Sequence, residues 1–483
     1  MPAKKDFRTT LNTERTARYV DYLEAPLKIV ACWDLFRHKH EKIFSFINNG
    51  YLGFVLLVLS YVTLALAVYL HSEWEDVMSS LDKISDSLPL LVSFVIVVYY
   101  AVYRKELYEL LEYMEKNFKY NSAQGLTNMS MCKSYEAAKR FWRIYTACTM
   151  FSVSMYATMP VIVHLWTKEP MQSWLLIDIT KSSFLKFIFV FLVTCLSQFY
   201  VGLAIGQFGV FFASNSILIC GQLDLLCCSL RNAKFTALLQ NGVKHSALVA
   251  AHADIQNDEQ HSYSYNISEI EQSFFHYDEK TSIIIRIKLY LIQDHSAANV
   301  KTRFDIYSEE HDAATMSALR DCAMLCQAIK RYTEMFEDFV SPLLALRVVQ
   351  VTLYLCTLLY AATLKLEMTT VEYLAAVALD IFVYCYYGNQ IIIQADRVST
   401  AAYQSVWHTM GVGPRRVLLN ILLANKKLVV IRAGKFLPMD LHTFVVVCMP
   451  LTAWKLLDYS TKGSRSTYVK KLGQFLNITS KLC

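Results

Sequence analysis

Seven runs of apolar residues divide the chain, and charged connections separate them. Residues 51–70 carry no charge over twenty positions, which at ~1.5 Å per residue makes about 30 Å of helix, one hydrocarbon thickness. Residues 88–103 form a shorter run ending on Arg104 and Lys105, which are placed to snorkel to the interface. A third run covers 144–166. Residues 187–223 are charge-free over thirty-seven positions, more than one crossing needs, and Asn215-Ser216 makes a poor hairpin turn. The pattern predicts one tilted helix there, continuing past the lipid at its cytoplasmic end. Runs at 348–364, 373–395 and 441–459 complete the set. Asp380 interrupts the sixth; His442, Lys455 and Asp458 lie in the seventh, which suits a helix that lines water or is shielded by its neighbours.

Positive charge orients these spans. The first fifty residues hold nine Lys/Arg, residues 104–143 hold eight and residues 396–435 hold seven, whereas 71–87 hold one against five carboxylates. Basic loops stay in the cytoplasm, so the amino terminus is expected inside and, after seven crossings, the carboxyl terminus outside. The tail after Thr461, with five basic residues and no acid, fits this orientation badly. The expected organisation is a cytoplasmic region at 1–50, four spans within 51–228, a cytoplasmic loop at 229–335, two spans within 336–396, a cytoplasmic helical region at 397–435, the seventh span within 436–461 and an outer tail at 462–483.

Composition agrees with a membrane protein: 54% of the 483 residues are hydrophobic and only 18% charged, against roughly 25% charged in soluble domains. With 14 Gly and 9 Pro the helices can run long. The net charge of +6 is scattered, which gives no argument for nucleic acid. Cysteines such as Cys148, Cys195, Cys356 and Cys385 read as apolar packers, and Cys322 with Cys326 lacks neighbouring metal ligands. The polar stretch 240–310 and the adjoining His311 carry six of the twelve histidines, too widely spaced for a ligand pair; this is expected to be a solvated insertion. Within it, 283–292 reads as a strand or amphipathic patch. Of the sequons at Asn128, Asn266 and Asn477, only the last would face outward. No phosphate loop, nucleophile elbow or zinc helix motif occurs, so no enzyme, cofactor or metal site is expected.

The last third carries a family resemblance. Phe382–Gly388 (FVYCYYG), Ala402-Tyr403, Ser405, Trp407, Arg415-Arg416, Ala433-Gly434-Lys435-Phe436 and Leu441, Thr443, Phe444 resemble the carboxyl-terminal signature of insect odorant receptors. Asp178 with Thr180-Lys181-Ser182, Cys220–Leu225 and Leu319-Arg320 through Phe336 resemble further segments of that family. The resemblance implies an all-α membrane protein of seven helices with inverted topology, assembled as a tetrameric ion channel. It implies an odour-specific tuning subunit that pairs with the family co-receptor in a hetero-tetramer, at the plasma membrane of olfactory dendrites. A gustatory-type channel or a co-receptor-like subunit is the alternative; a G-protein-coupled receptor or a transporter fits less well, lacking Asp-Arg-Tyr and Asn-Pro motifs or internal repeats.

The family further implies a ligand cavity in the outer half between the second, third, fourth and sixth helices, for which the candidates are Phe94, Val98, Tyr156, Met159, Phe199, Leu203, Tyr373 and Val377. Pro160 would kink the third helix near it. A small volatile burying about 250 Å2 gains about 6 kcal/mol before ordering costs, consistent with micromolar binding. Leu457, Ser460 and Thr461 are placed at the narrow outer end of the pore, and Tyr403, Trp407 and Gly434 at the intersubunit anchor, with an amphipathic helix expected at 415–432. Asp380 is expected to hydrogen-bond a neighbouring Thr or Tyr.

Overall fold

A computed structural model describes residues 21–35, 42–72, 77–123, 125–126, 129–167, 184–244, 247–248, 305–364, 368–426 and 429–447. Helices dominate: α1 (Asp21–Ile29), α2 (Lys42–Ser72), α3 (Val77–Val102), α4 (Arg104–Asn117), α5 (Cys132–Thr167), α6 (Phe184–Arg231), α7 (Ala233–Gln240), α8 (Asp312–Leu364), α9 (Met368–Gln404) and α10 (Val412–Asn425). A two-stranded hairpin, β1 (Arg432–Ala433) with β2 (Leu437–Pro438), precedes a last helix, α11, described over 441–447.

By length and composition alone, three helices among the described residues can cross a membrane: Ile43–Val68, Phe191–Arg231 and Glu309–Thr357. A fourth is the pair Ser87–Val102 and Arg104–Asn117 if read as one span; it bends by 69° at Tyr103. The side chains of α5 and α9 are described only over part of their apolar runs, and α11 only at its start.

α6 is one unbroken helix of 48 residues, about 72 Å long at ~1.5 Å per residue, so it overshoots a ~30 Å bilayer. Asn215-Ser216 makes no turn, because Asn215 Nδ2 donates to the Phe211 carbonyl (2.7 Å) and Ser216 Oγ to the Phe212 carbonyl (2.8 Å), each bond staying inside the helix. α5, α9, α3, α8 and α2 all pack on α6. Close approach of α5 follows from a Gly-xxx-Gly spacing: a Cβ on Gly202 would stand 2.1 Å from Val153 Cγ2, and one on Gly206 2.8 Å from Thr149 Cγ2.

Two expectations change. The amino-terminal segment docks into the core: Leu27, Val30, Ala31, Cys32 and Trp33 are buried. Asp34 then ion-pairs with Arg104 and accepts from Tyr108 OH (2.8 Å), so Arg104 finds a carboxylate where snorkelling to the interface was expected. The helix expected at 415–432 stops at Asn425. Val429, Val430 and Ile431 are β-branched and leave the helix, and Gly434 and Lys435, both with positive φ, close the hairpin.

Candidate functional site

The centre of the bundle is where the expected cavity residues fall. Leu203 on α6 is buried, Phe94 on α3, Phe199 on α6 and Val377 on α9 are partly buried against the same apolar core, and Val98 lies one turn below Phe94, half-buried. Because α6 packs on both α3 and α9, these residues share one core. The side chains of Tyr156, Met159, Pro160 and Tyr373 lie outside the described residues, as do Leu457, Ser460 and Thr461, all three sequons and the 283–292 segment.

Three residues beyond Val377, Asp380 meets a partner the sequence pattern hid. Its Oδ2 ion-pairs with Arg347 Nη2 on α8, and its Oδ1 accepts a long bond from Tyr145 OH on α5 (3.4 Å). The expected tyrosine is there, but the guanidinium dominates, since a charged donor binds a carboxylate more strongly than a phenol does. Both side chains are nearly buried, 5% exposed for Arg347 and 15% for Asp380. Arg347 Nη1 also donates to Gln350 Oε1. Two phenols surround Gly209 of α6: a Cβ there would lie 3.3 Å from Tyr384 OH and 3.4 Å from Tyr145 OH. The absent side chain is what lets α5, α8 and α9 bring polar groups to one place beside α6.

From this centre a chain of contacts leads to α11. Ser341 on α8 accepts the Gly434 N–H at its carbonyl (3.0 Å) and the Lys435 N–H at Oγ (2.9 Å). Lys435 Nζ reaches Asp338 Oδ1 (2.8 Å), and Arg432 Nη1 lies 3.6 Å from Glu337 Oε1. The Asp338 carboxylate raises the Lys435 pKa. Asp440 Oδ1 caps α11 by accepting the Thr443 N–H (2.7 Å), and Thr443 Oγ1 donates to the Pro438 carbonyl (2.7 Å). α9 touches the same segment: a Cβ on Gly388 would stand 2.2 Å from the Met439 carbonyl oxygen, and the Phe382 and Phe444 rings meet edge-to-face at 5.3 Å.

The residues expected at the anchor lie on the last stretch of α9, the turn after it and the hairpin. Tyr403 is 72% exposed and Trp407 39%, their rings 6.4 Å apart, and Gly434 has φ +61° at the hairpin turn. Val412, Leu419, Leu423 and Phe436 expose further apolar surface nearby. Under them, Lys234 on α7 is fully buried 3.6 Å from Asp312 Oδ1, and burial lowers its pKa. Asp312 Oδ1 also accepts the Gly411 N–H (3.2 Å), tying α8 to the start of α10.

A long central helix with α5, α9, α3, α8 and α2 packed on it, and a hairpin feeding the last described helix, defines an all-α bundle with helices long and apolar enough to cross a membrane. Among solved structures the chain is similar to the insect olfactory receptor OR5 from Machilis hrabei: with eugenol bound, TM-score 0.63 at 15% identity over 92% of this chain and 98% of that one; without it, TM-score 0.64 at 15% identity over 93% and 98%. Two Drosophila melanogaster relatives, the 85e and 83a odorant receptors, are each 21% identical, the first over 83% of this chain and 82% of its own, the second over 69% and 70%. The family model for the 7tm odorant receptors matches residues 77–449, and the chain belongs to that family.

Proposed function

We propose that the chain is an odour-tuned subunit that joins the family co-receptor in a four-subunit, odorant-gated, weakly selective cation channel at the plasma membrane of olfactory dendrites. The observation that carries this reading is the likeness of fold, over 92% of the chain, to a receptor solved with eugenol, a small and largely apolar volatile. The amino terminus lies in the cytoplasm and the carboxyl terminus outside. Ligand enters an outer-half cavity whose walls include Phe94, Val98, Tyr156, Met159, Phe199, Leu203, Tyr373 and Val377. Desolvation of the ligand supplies affinity there.

Ligand shifts gating only by binding the open state better than the closed one. Leu457, with Ser460 and Thr461, forms the outer constriction of the pore: an apolar ring dewets when closed and is wetted when it widens. Tyr403, Trp407 and Gly434 hold subunits together at the inner end, where large apolar side chains stand exposed on the single chain.

Whole-cell recording of a volatile panel, in cells with and without the co-receptor, tests the reading. The expected result is a rapid cation current that needs both chains and survives block of G-protein signalling. A current abolished by that block would contradict it.

A further inference from the structure

Arg347 and Asp380 place opposite charges between α8 and α9, nearly shielded from solvent. Separating them would strand each charge in a low-dielectric interior, so the pair holds the two helices in one register through any rearrangement of the bundle. One end of this link is close to the cavity residue Val377, a single helical turn earlier on α9. The other end leads to the hairpin: Ser341, six residues before Arg347 on α8, binds the N–H groups of both Gly434 and Lys435.

α9 adds two direct contacts to the same segment. Gly388 presses on the Met439 carbonyl and Phe382 on Phe444, so α8 and α9 grip the start of α11 from two sides. A pair that locked α8 to α9 far from either end would have no such leverage.

The geometry assigns Arg347 and Asp380 a positioning role in gating: their ion pair is a strut that makes α8 and α9 move as one body, so that displacement at the cavity reaches the turn where α11 begins. This rests on the channel reading above. Both residues act through their neighbours and touch neither ligand nor pore. Spatial continuity alone does not establish coupling, so the test reads coupling itself.

The test compares wild type with two double variants in co-receptor-expressing cells, measuring surface labelling and odorant concentration–response together. Arg347→Met with Asp380→Leu removes both charges and keeps apolar bulk, the change a buried pair tolerates best. It is expected to reach the surface at wild-type level while the half-maximal concentration rises about tenfold. Arg347→Asp with Asp380→Arg, which exchanges the charges, is expected to move that concentration back toward wild type. An unchanged concentration–response in the neutral variant would overturn the strut. So would loss of that variant from the surface, which would make the pair a folding element. Absence of any odour-evoked current from the wild type would instead fault the channel reading.

Discussion

α2 and α6 are both long and apolar, yet they occupy different surroundings. A third of the most apolar stretch of α2 is buried, against 83% of that of α6. On α2 the exposed large side chains Phe54, Leu57, Tyr61, Leu64 and Val68 recur every three or four residues and form one face, while Val55, Val58, Leu59, Val62 and Leu66 face the bundle. Both faces are apolar because one meets helices and the other meets lipid, so no amphipathic stripe marks the boundary. α6 is enclosed over most of that stretch and carries buried Gln207, Asn215 and Gln222. Lipid tolerates no such side chains unpaired, whereas an enclosed helix can give them partners: Tyr332 OH donates to Asn215 Oδ1 (2.5 Å), and Gln222 pairs with both backbone groups of Lys119. Polar residues inside a long apolar run therefore mark the helix at the centre of the bundle.

The contrast predicts a gradient of mutational cost. Among single changes around α6, Asp380→Asn should cost most, about 3–5 kcal/mol, because it leaves Arg347 buried without its counter-charge. Thermal unfolding of the detergent-purified receptor would show it, and a drop no larger than at a lipid-facing site would break the comparison. Gly388→Ala follows, at about 1–3 kcal/mol, since the new Cβ meets backbone that cannot rotate away. Its effect should also appear as lost surface expression.

Tyr332→Phe removes one hydrogen bond and leaves Asn215 Oδ1 unsatisfied, costing about 1–2 kcal/mol in the same unfolding assay. At the other extreme, Leu57→Ala and Leu64→Ala on the lipid face of α2 should each change stability by less than about 0.5 kcal/mol. If these two equalled Tyr332→Phe, the face assigned to lipid would have to be a protein contact.

Legibility in the sequence followed the range of the interaction. The apolar runs at 51–70, 187–223 and 348–364 were readable because hydropathy is a local property, and the single long α6 followed from the poor turn chemistry at Asn215-Ser216. Family segments such as FVYCYYG and Ala433–Phe436 were readable because they fall at the Gly388–Met439 contact and the hairpin, where backbone geometry restricts residue choice. Arg347 was missed because it stands just before an apolar run and so resembles a helix end, while its partner is 33 positions away on another helix. Docking of Trp33 and Asp34 under Arg104 and Tyr108 was hidden for the same reason, 70 and 74 positions apart. The early end of α10 was legible in principle, from the β-branched run Val429-Val430-Ile431 ahead of Ala433-Gly434.

The most direct test of the central claim is recording from the purified chain and co-receptor reconstituted together in planar lipid bilayers. Addition of a volatile active in cells should open unitary cation-conducting steps with no other protein present, and Leu457→Ala should raise their resting probability. A membrane that binds the volatile but stays silent, with the protein inserted and tetrameric, would contradict the account.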